Sequence, residues 1–307
     1  MLIMRIEVPE RLAEVQAETN GDAGRRWVAG LPGLAADLLE RWELRPDGEP
    51  RHGWASLVVP VRRAGGGAAV LKLQLVDEEN AGEAAALRAW DGRGAVRLLA
   101  EDAGRGALLL ERLDAARSLA DLPDDREALA VLTGLLARLV AAPAPPGMRT
   151  LADVARAMLA DAPELLPALR GADRRLADVC VGAVRELADE AGDRLLHWDL
   201  HYGNVLSADR EPWLAIDPKP LAGDPGFDLL PALRNRWDDL VAAGDVTRAL
   251  RWRFDHMTEV LGLDRRRAAG WTLGRVLQNV LWDLEDEEEH MDDAQRVVAE
   301  CLEPLWT

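Results

Sequence analysis

The stretch His197-Trp198-Asp199-Leu200-His201-Tyr202-Gly203-Asn204 is a polar island in a helical half of the chain, and Ala215-Ile216-Asp217-Pro218-Lys219 follows it. Between them, Asn204–Ser207 and Trp213–Ile216 read as a β-hairpin around the turn Ala208–Pro212. Transfer of a phosphoryl group from a nucleotide needs a carboxylate to orient the acceptor hydroxyl. It also needs oxygen ligands for a Mg²⁺ ion that bridges the phosphates. Asp199 suits the first task, and Asn204 with Asp217 suits the second. The hairpin folds the second ligand back beside the first, so that both reach one ion.

Working outward, the chain divides into two compositional parts. From Trp42 to Arg112 it is mostly strand-like, with Ala55–Arg63 and Ala68–Val76 joined by Ala64-Gly65-Gly66-Gly67, a hairpin signal. Glu78–Trp90 is predicted as a helix with acidic residues in its first turn, where the dipole favours them. Val96–Ala100 and Ala107–Arg112 are further strands split by Glu101–Gly106. Residues 1–112 are thus expected to form an N-terminal lobe, with a helical extension to about residue 41 followed by an antiparallel sheet and one key helix. Residues 113–307 are expected to form a larger α-helical lobe. Its helices read as Arg126–Ala141, ended by Ala142–Gly147, then Leu151–Leu169, Arg174–Ala191, and further helices from Phe227 onward. The charge run Asp283–Glu289 reads as a solvated helix face. The fold class is α+β.

Composition narrows the function. The chain has 307 residues and a formal net charge of −17, which disfavours the clustered Lys and Arg that nucleic acid or anionic lipid requires. No nucleic-acid or membrane partner is expected, and no apolar run approaches the ~20 residues of a span. The start, Met1–Glu10, carries acidic residues and proline where a signal peptide has its apolar stretch. With Cys180 and Cys301 the only cysteines, there is no disulfide framework and a reducing cytoplasm is the expectation. A monomer is expected.

Of the 37 basic residues only Lys72 and Lys219 are lysines. A lysine kept against that bias asks for a chemical reason. Lys72 lies in an apolar strand, among Val70, Leu71, Leu73 and Leu75, which sets a functional lysine against a surface residue with a snorkelling stem. For Lys219 an exposed surface position is the plainer reading, against contact with a phosphate.

Asp-x-x-x-x-Asn, a hairpin and a further Asp resemble the catalytic and metal-binding loops of the protein-kinase-like superfamily. His197-x-Asp199-x-His201-x-x-Asn204 with Ile216-Asp217-Pro218 resembles the aminoglycoside phosphotransferase family. Ala215–Leu230 and Ser56–Val61 resemble its streptomycin 6-kinase and hydroxyurea phosphotransferase branch, over a region from about Val8 to the C-terminus. The resemblance implies a bilobal kinase-like fold that moves the γ-phosphate of Mg-ATP to a hydroxyl of the streptidine ring of streptomycin, a cationic small molecule. Hydroxyurea or a metabolite alcohol is the alternative acceptor. By the same resemblance Asp199 is the catalytic base, Asn204 and Asp217 are the Mg²⁺ ligands, and Lys72 holds phosphate. Glu83 is the ion-pair partner of Lys72, with Glu78 and Glu79 as competitors. Backbone groups from Glu111 to Leu113 read the adenine. Asp228 supports the catalytic loop, and His197 and His201 pack it.

Three features depart from the family pattern. Asp47–Ser56 has Gly48 and Gly53 but no G-x-G-x-x-G, so Ser56 and the amides near Gly53 are the candidates over the phosphates. Trp198 stands where an Arg is usual, and the metal loop is Asp-Pro-Lys rather than Asp-Phe-Gly. The last two suit small-molecule kinases.

Most of the 11 tryptophans are expected in core or interlobe packing. Trp282, beside Asp283 and Asp286, is a candidate wall for a cationic substrate, since cations favour indole faces and carboxylates. Two other classes stay open at this point. His197, Asp199 and His201 alternate and would face one side of a strand, as in a metal-dependent hydrolase. A non-catalytic nucleotide-binding regulator is the other, and it is disfavoured because Lys72, Asp199, Asn204 and Asp217 are all present.

Overall fold

Residues 6–307 are described by the computed structural model, so the first half of the Met1–Glu10 reading lies outside the described residues. The chain forms two compact units. The first runs to Asp114 and takes in Ala208–Arg210; the second holds the rest.

In the first unit α1 (Glu10–Arg41) is kinked at Gly21, whose φ of 53° and ψ of −129° suit only glycine. Then follow β1 (Leu44–Pro46), β2 (Arg51–His52), β3 (Ser56–Arg63), β4 (Ala68–Gln74), α2 (Glu83–Trp90), β5 (Leu98–Asp102) and β6 (Ala107–Glu111). They build an antiparallel sheet in the order β1-β3-β4-β6-β5, with β2 paired to β3. Alternation decides which way each side chain points. Leu57, Val59 and Val61 of β3 join Ala69, Leu71 and Leu73 of β4 in one core with Leu12, Leu31, Ala35 and Leu38 of α1. Lys72 and Gln74, in the other phase of β4, therefore belong to the opposite face.

The second unit contributes β7 (Asp114–Ser118), α3 (Asp125–Leu139), α4 (Leu151–Leu165), α5 (Gly171–Leu187), β8 (Arg194–Leu196), β9 (Val205–Ser207), β10 (Trp213–Ala215) and β11 (Leu221–Gly223). It ends with α6 (Leu230–Leu233), α7 (Trp237–Ala242), α8 (Val246–Leu261), α9 (Arg265–Glu285) and α10 (Asp293–Trp306). α9 is buried on nearly every side from Ala268 to Leu281, and α4, α5 and α10 pack around it.

Two small sheets set the loops. β8 pairs with β11, and β9 pairs with β10. Loop 197–204 joins β8 to β9, and loop 216–220 joins β10 to β11. Each loop thus begins and ends on strands hydrogen-bonded to those that bound the other, and the two run side by side.

Several expectations need correction. The helix anticipated from Glu78 begins at Glu83, because the Asp77 carboxylate accepts the amides of Glu79 and Asn80 and closes a turn first. β5 spans Leu98–Asp102 rather than Val96–Ala100. The short strands β1, β2, β7, β8 and β11 carry no period long enough to read. The Asp283–Glu289 run is not a helix face, since α9 ends at Glu285.

Gly106, at φ 63°, sits against β4, and a Cβ there would lie 2.1 Å from the Gln74 carbonyl oxygen. Gly106→Ala is expected to cost about 2–3 kcal/mol, read as a lower urea midpoint at unchanged slope.

Candidate active site

In the first unit the alternation of β4 turns Lys72 and Gln74 toward the N-terminus of α2. Lys72 Nζ donates to both carboxylate oxygens of Glu83, at 2.8 and 2.9 Å, and Gln74 Nε2 donates to Glu83 Oε2 at 2.8 Å. Lys72 is 5% and Glu83 1% exposed, so this pair has left water. A buried pair is costly to desolvate and is held only where additional hydrogen bonds complete it. Gln74 supplies one here, a role the sequence reading did not assign. Glu78 and Glu79 lie in the turn before α2.

Ser56 opens β3, is buried, and its carbonyl accepts the Gly53 amide at 3.0 Å, closing the β2–β3 turn. Trp54 projects from that turn, 76% exposed. Gln16 of α1, itself buried, donates to the Ala55 carbonyl at 3.1 Å and braces the turn from beneath. Glu111 is engaged within the unit: its amide donates to Arg97 O, and its carboxylate takes three bonds from Arg210 at 2.7–3.0 Å. Arg210 also donates to the carbonyls of Gly92 and Ala95. Half-buried Leu113 follows the end of β6. Nothing in the spacing pointed to Arg210.

In the second unit the two loops are laced together. The Ile216 amide donates to Asn204 O at 2.9 Å, which sets Asp217 beside Asn204. The Lys219 amide donates to His197 O at 3.0 Å. Asn204 Nδ2 donates to the Asp199 carbonyl at 2.9 Å, so the amide oxygen is the end left to act as a ligand. Asp217 is held at φ 53°, in the left-handed region that Asp tolerates better than most side chains. An amide oxygen and one carboxylate form an oxygen donor set that fits Mg²⁺, which binds few protein ligands and keeps phosphate oxygens and water for the rest.

Beneath the loop, Asp228 is wholly buried and accepts the His197 amide at 2.8 Å. Burial pushes its carboxyl up to about 7, while the His197 and Trp198 amides and the Arg275 charge draw it down. His197 is also wholly buried: Nε2 meets Ile216 O at 3.0 Å and Nδ1 takes the Asp199 amide at 3.4 Å. His201 Nδ1 accepts the Gly203 amide. The alternation of His197, Asp199 and His201 therefore serves the loop itself. Among the described residues, no group of three His, Cys, Asp or Glu side chains is arranged to hold a metal ion.

A cleft of about 420 Å³ opens at the end of α9. Trp282 and Asp283 line it, joined by Asn279, Glu288, Asp292, Gln295, Arg234 and His290. Asp286, exposed at the end of α9, is not among the lining residues. Burial pushes the Asp283 carboxyl up, the Gln295 amide (Nε2 to Oδ2, 2.8 Å) draws it down, and Asp292 and Glu288 push it up again. Such a cluster gains when a cation enters. Asn279 and Asp283 are one helical turn apart, a readable spacing. Glu288, Asp292 and Gln295 come to the cleft through a turn and α10.

Comparison with known proteins shows the family. The model of the aminoglycoside/hydroxyurea antibiotic resistance kinases matches residues 41–287. This chain belongs to that family. Over 298 residues it is 58% identical to a streptomycin 6-kinase of Streptomyces glaucescens, covering 97% of each chain. It is 56% identical over 300 residues to a hydroxyurea phosphotransferase of Kitasatospora aureofaciens, covering 97% of this chain and 86% of that one. Among solved structures, a macrolide 2'-phosphotransferase of Brachybacterium faecium superposes with a TM-score of 0.52 at 18% identity, covering 90% of this chain and 98% of that one, and shares the fold. The fold is that of the kinase-like phosphotransferases, and this family member is an enzyme that phosphorylates a hydroxyl group.

His197, pushed down to about 4 by burial, gains a proton more readily unfolded than folded. Its contribution to stability is therefore lost as pH falls from about 6.5 toward 4. Asp228, pushed up to about 7, acts in the opposite sense and remains in both proteins compared. Between pH 7.5 and 5, wild type is expected to lose about 2 kcal/mol relative to His197→Asn, read from urea midpoints at each pH.

Proposed function

We propose that this kinase transfers the γ-phosphate of ATP to a hydroxyl of the streptidine ring of streptomycin. The observation that carries the reading is the cleft, which Asp283, Glu288 and Asp292 line together with Trp282, whose ring lies 6.3 Å from that of Trp198, the residue before Asp199. Guanidinium groups pair with carboxylates and stack on indole, and streptidine carries two of them. Hydroxyurea is small and uncharged and brings no cation to this cleft, where Arg234 pairs with Asp292 alone of the three carboxylates, so it is the weaker acceptor.

In this reading Asp199 accepts a hydrogen bond from the acceptor hydroxyl, orients its oxygen, and takes its proton as the new bond to phosphorus forms and the bond from the γ-phosphorus to the bridging oxygen breaks, releasing ADP. Lys72, held by Glu83 and Gln74, pairs with phosphate oxygens as a fixed cation. The β2–β3 turn, closed by the Gly53 amide on the Ser56 carbonyl, covers the phosphates with Ser56, and the segment ending at Leu113 reads the adenine. Asn204 and Asp217 hold Mg²⁺, which when bound neutralises charge on the phosphates. Asp228 keeps the loop amides in place. The carboxylates of the cleft bind and orient the substrate cation. No helix among the described residues is long and apolar enough to cross a membrane. We place the enzyme in the cytoplasm, where its ATP is, acting as a monomer.

Purified protein with Mg-ATP is expected to add one phosphoryl group to streptomycin, read by mass, and to leave hydroxyurea unchanged. Asp199→Asn is expected to lower kcat by roughly 10²–10⁴-fold with the KM for ATP retained. Phosphorylated hydroxyurea with unchanged streptomycin would reverse the choice of acceptor. The pair Asp283→Asn and Asp292→Asn is expected to raise the KM for streptomycin roughly tenfold or more and to leave the KM for ATP within about twofold, in steady-state kinetics with each substrate varied.

A further inference from the structure

Trp198 has a φ of 63°, a backbone conformation that bulky L-residues rarely adopt, and it immediately precedes Asp199. Such a turn persists only where its surroundings over-determine it. Here the surroundings are cationic and aromatic. The Trp198 ring is buried, with two guanidinium groups against it, Arg149 at 5.4 Å and Arg275 at 5.3 Å from its centroid. Arg275, on α9 and 7% exposed, also lies 5.1 Å from the ring of Trp282 and 5.9 Å from that of Phe227. Its Nη1 donates to Gln278 Oε1 at 2.5 Å, which fixes the plane of the guanidinium.

Arg275 thus touches the ring attached to the turn of the base and the ring that lines the acidic cleft. Lying against two indole rings tilted 43° to one another leaves a planar cation few orientations. A cation held by Asp283 against Trp282 restricts that ring, and a restricted Trp282 restricts Arg275 and, through it, Trp198.

We propose that Arg275 is a positioning residue that couples occupancy of the cleft to the left-handed turn that aims Asp199. The proposal rests on the reading of the cleft as the seat of a cationic acceptor. It makes the correct substrate a participant in ordering the base: a cationic acceptor completes the turn, and one that leaves the cleft empty does not.

The test compares wild type with Arg275→Met and Arg275→Lys, using streptomycin as the probe. In hydrogen exchange, streptomycin is expected to slow the amides of residues 197–199 in wild type and not in Arg275→Met. In kinetics, Arg275→Met is expected to lose roughly 10- to 100-fold in kcat, with the KM for ATP within about twofold. Arg275→Lys, which keeps the charge without the plane, is expected to fall between them and carries the test if the Met variant does not fold. Without ligand, the same amides are expected to exchange at least about tenfold faster in Arg275→Met, since the loosened turn opens more often. Equal protection by streptomycin in wild type and Arg275→Met, or an unchanged kcat, would overturn the coupling. A wild type that neither binds nor phosphorylates streptomycin would remove the cleft reading instead, and the ligand-free exchange comparison would still decide whether Arg275 holds the turn.

Discussion

The carboxylate of Asp228, wholly buried, takes up the amide of His197, and the Trp198 amide draws on it as well. Those N–H groups sit where the chain leaves β8 and has no strand partner. Unpaired and buried, each would cost free energy comparable to a lost hydrogen bond. With the acid in place the backbone can leave the sheet in a left-handed turn at Trp198 and carry Asp199 out to a half-buried position. The lacing of His197 to Ile216 and of Lys219 to His197 then follows from the same fixed point. A buried carboxylate of this kind fixes the backbone of a polar loop from beneath.

The first unit solves a different problem, that of keeping an ammonium fixed and away from water. Strand alternation puts Lys72 and Gln74 on one face, α2 brings Glu83 to them, and the three groups satisfy one another. The apolar residues between them in sequence go to the other face and pack on α1. One seven-residue strand thus serves a hydrophobic core and a polar triad at once, because its period is two.

α9 does comparable service in the second unit. Trp271, Arg275, Asn279 and Asp283 succeed one another at single-turn spacing, so one stripe of the helix runs from the core through the Arg275 guanidinium to the cleft. A helix buried this thoroughly has little freedom to rotate. That stiffness gives its last turn a defined position for charged groups.

What was legible in the sequence was whatever depends on local period and spacing. The hairpin of β3 and β4, the long helices, and the order Asp199, Asn204, hairpin, Asp217 are of this kind. So is Lys72, since two lysines against so many arginines is visible without coordinates. The short strands β1, β8 and β11 escaped because they lack the adjoining turn that marks β9 and β10 as a hairpin, and the start of α2 escaped because an Asp77 turn competes with it. The partners of the site escaped for a different reason. Glu83 over Glu78 and Glu79, Gln74 in the triad, Arg210 on Glu111, Arg275 on Trp198, and the joining of Glu288, Asp292 and Gln295 to Asp283 are contacts between elements. Sequence alone determined the kind of chemistry, because that needs only the right groups at spacings a loop and a hairpin enforce. Tertiary structure decided which charges are paired, which are buried and which line the cleft, because packing, not chain proximity, sets those distances.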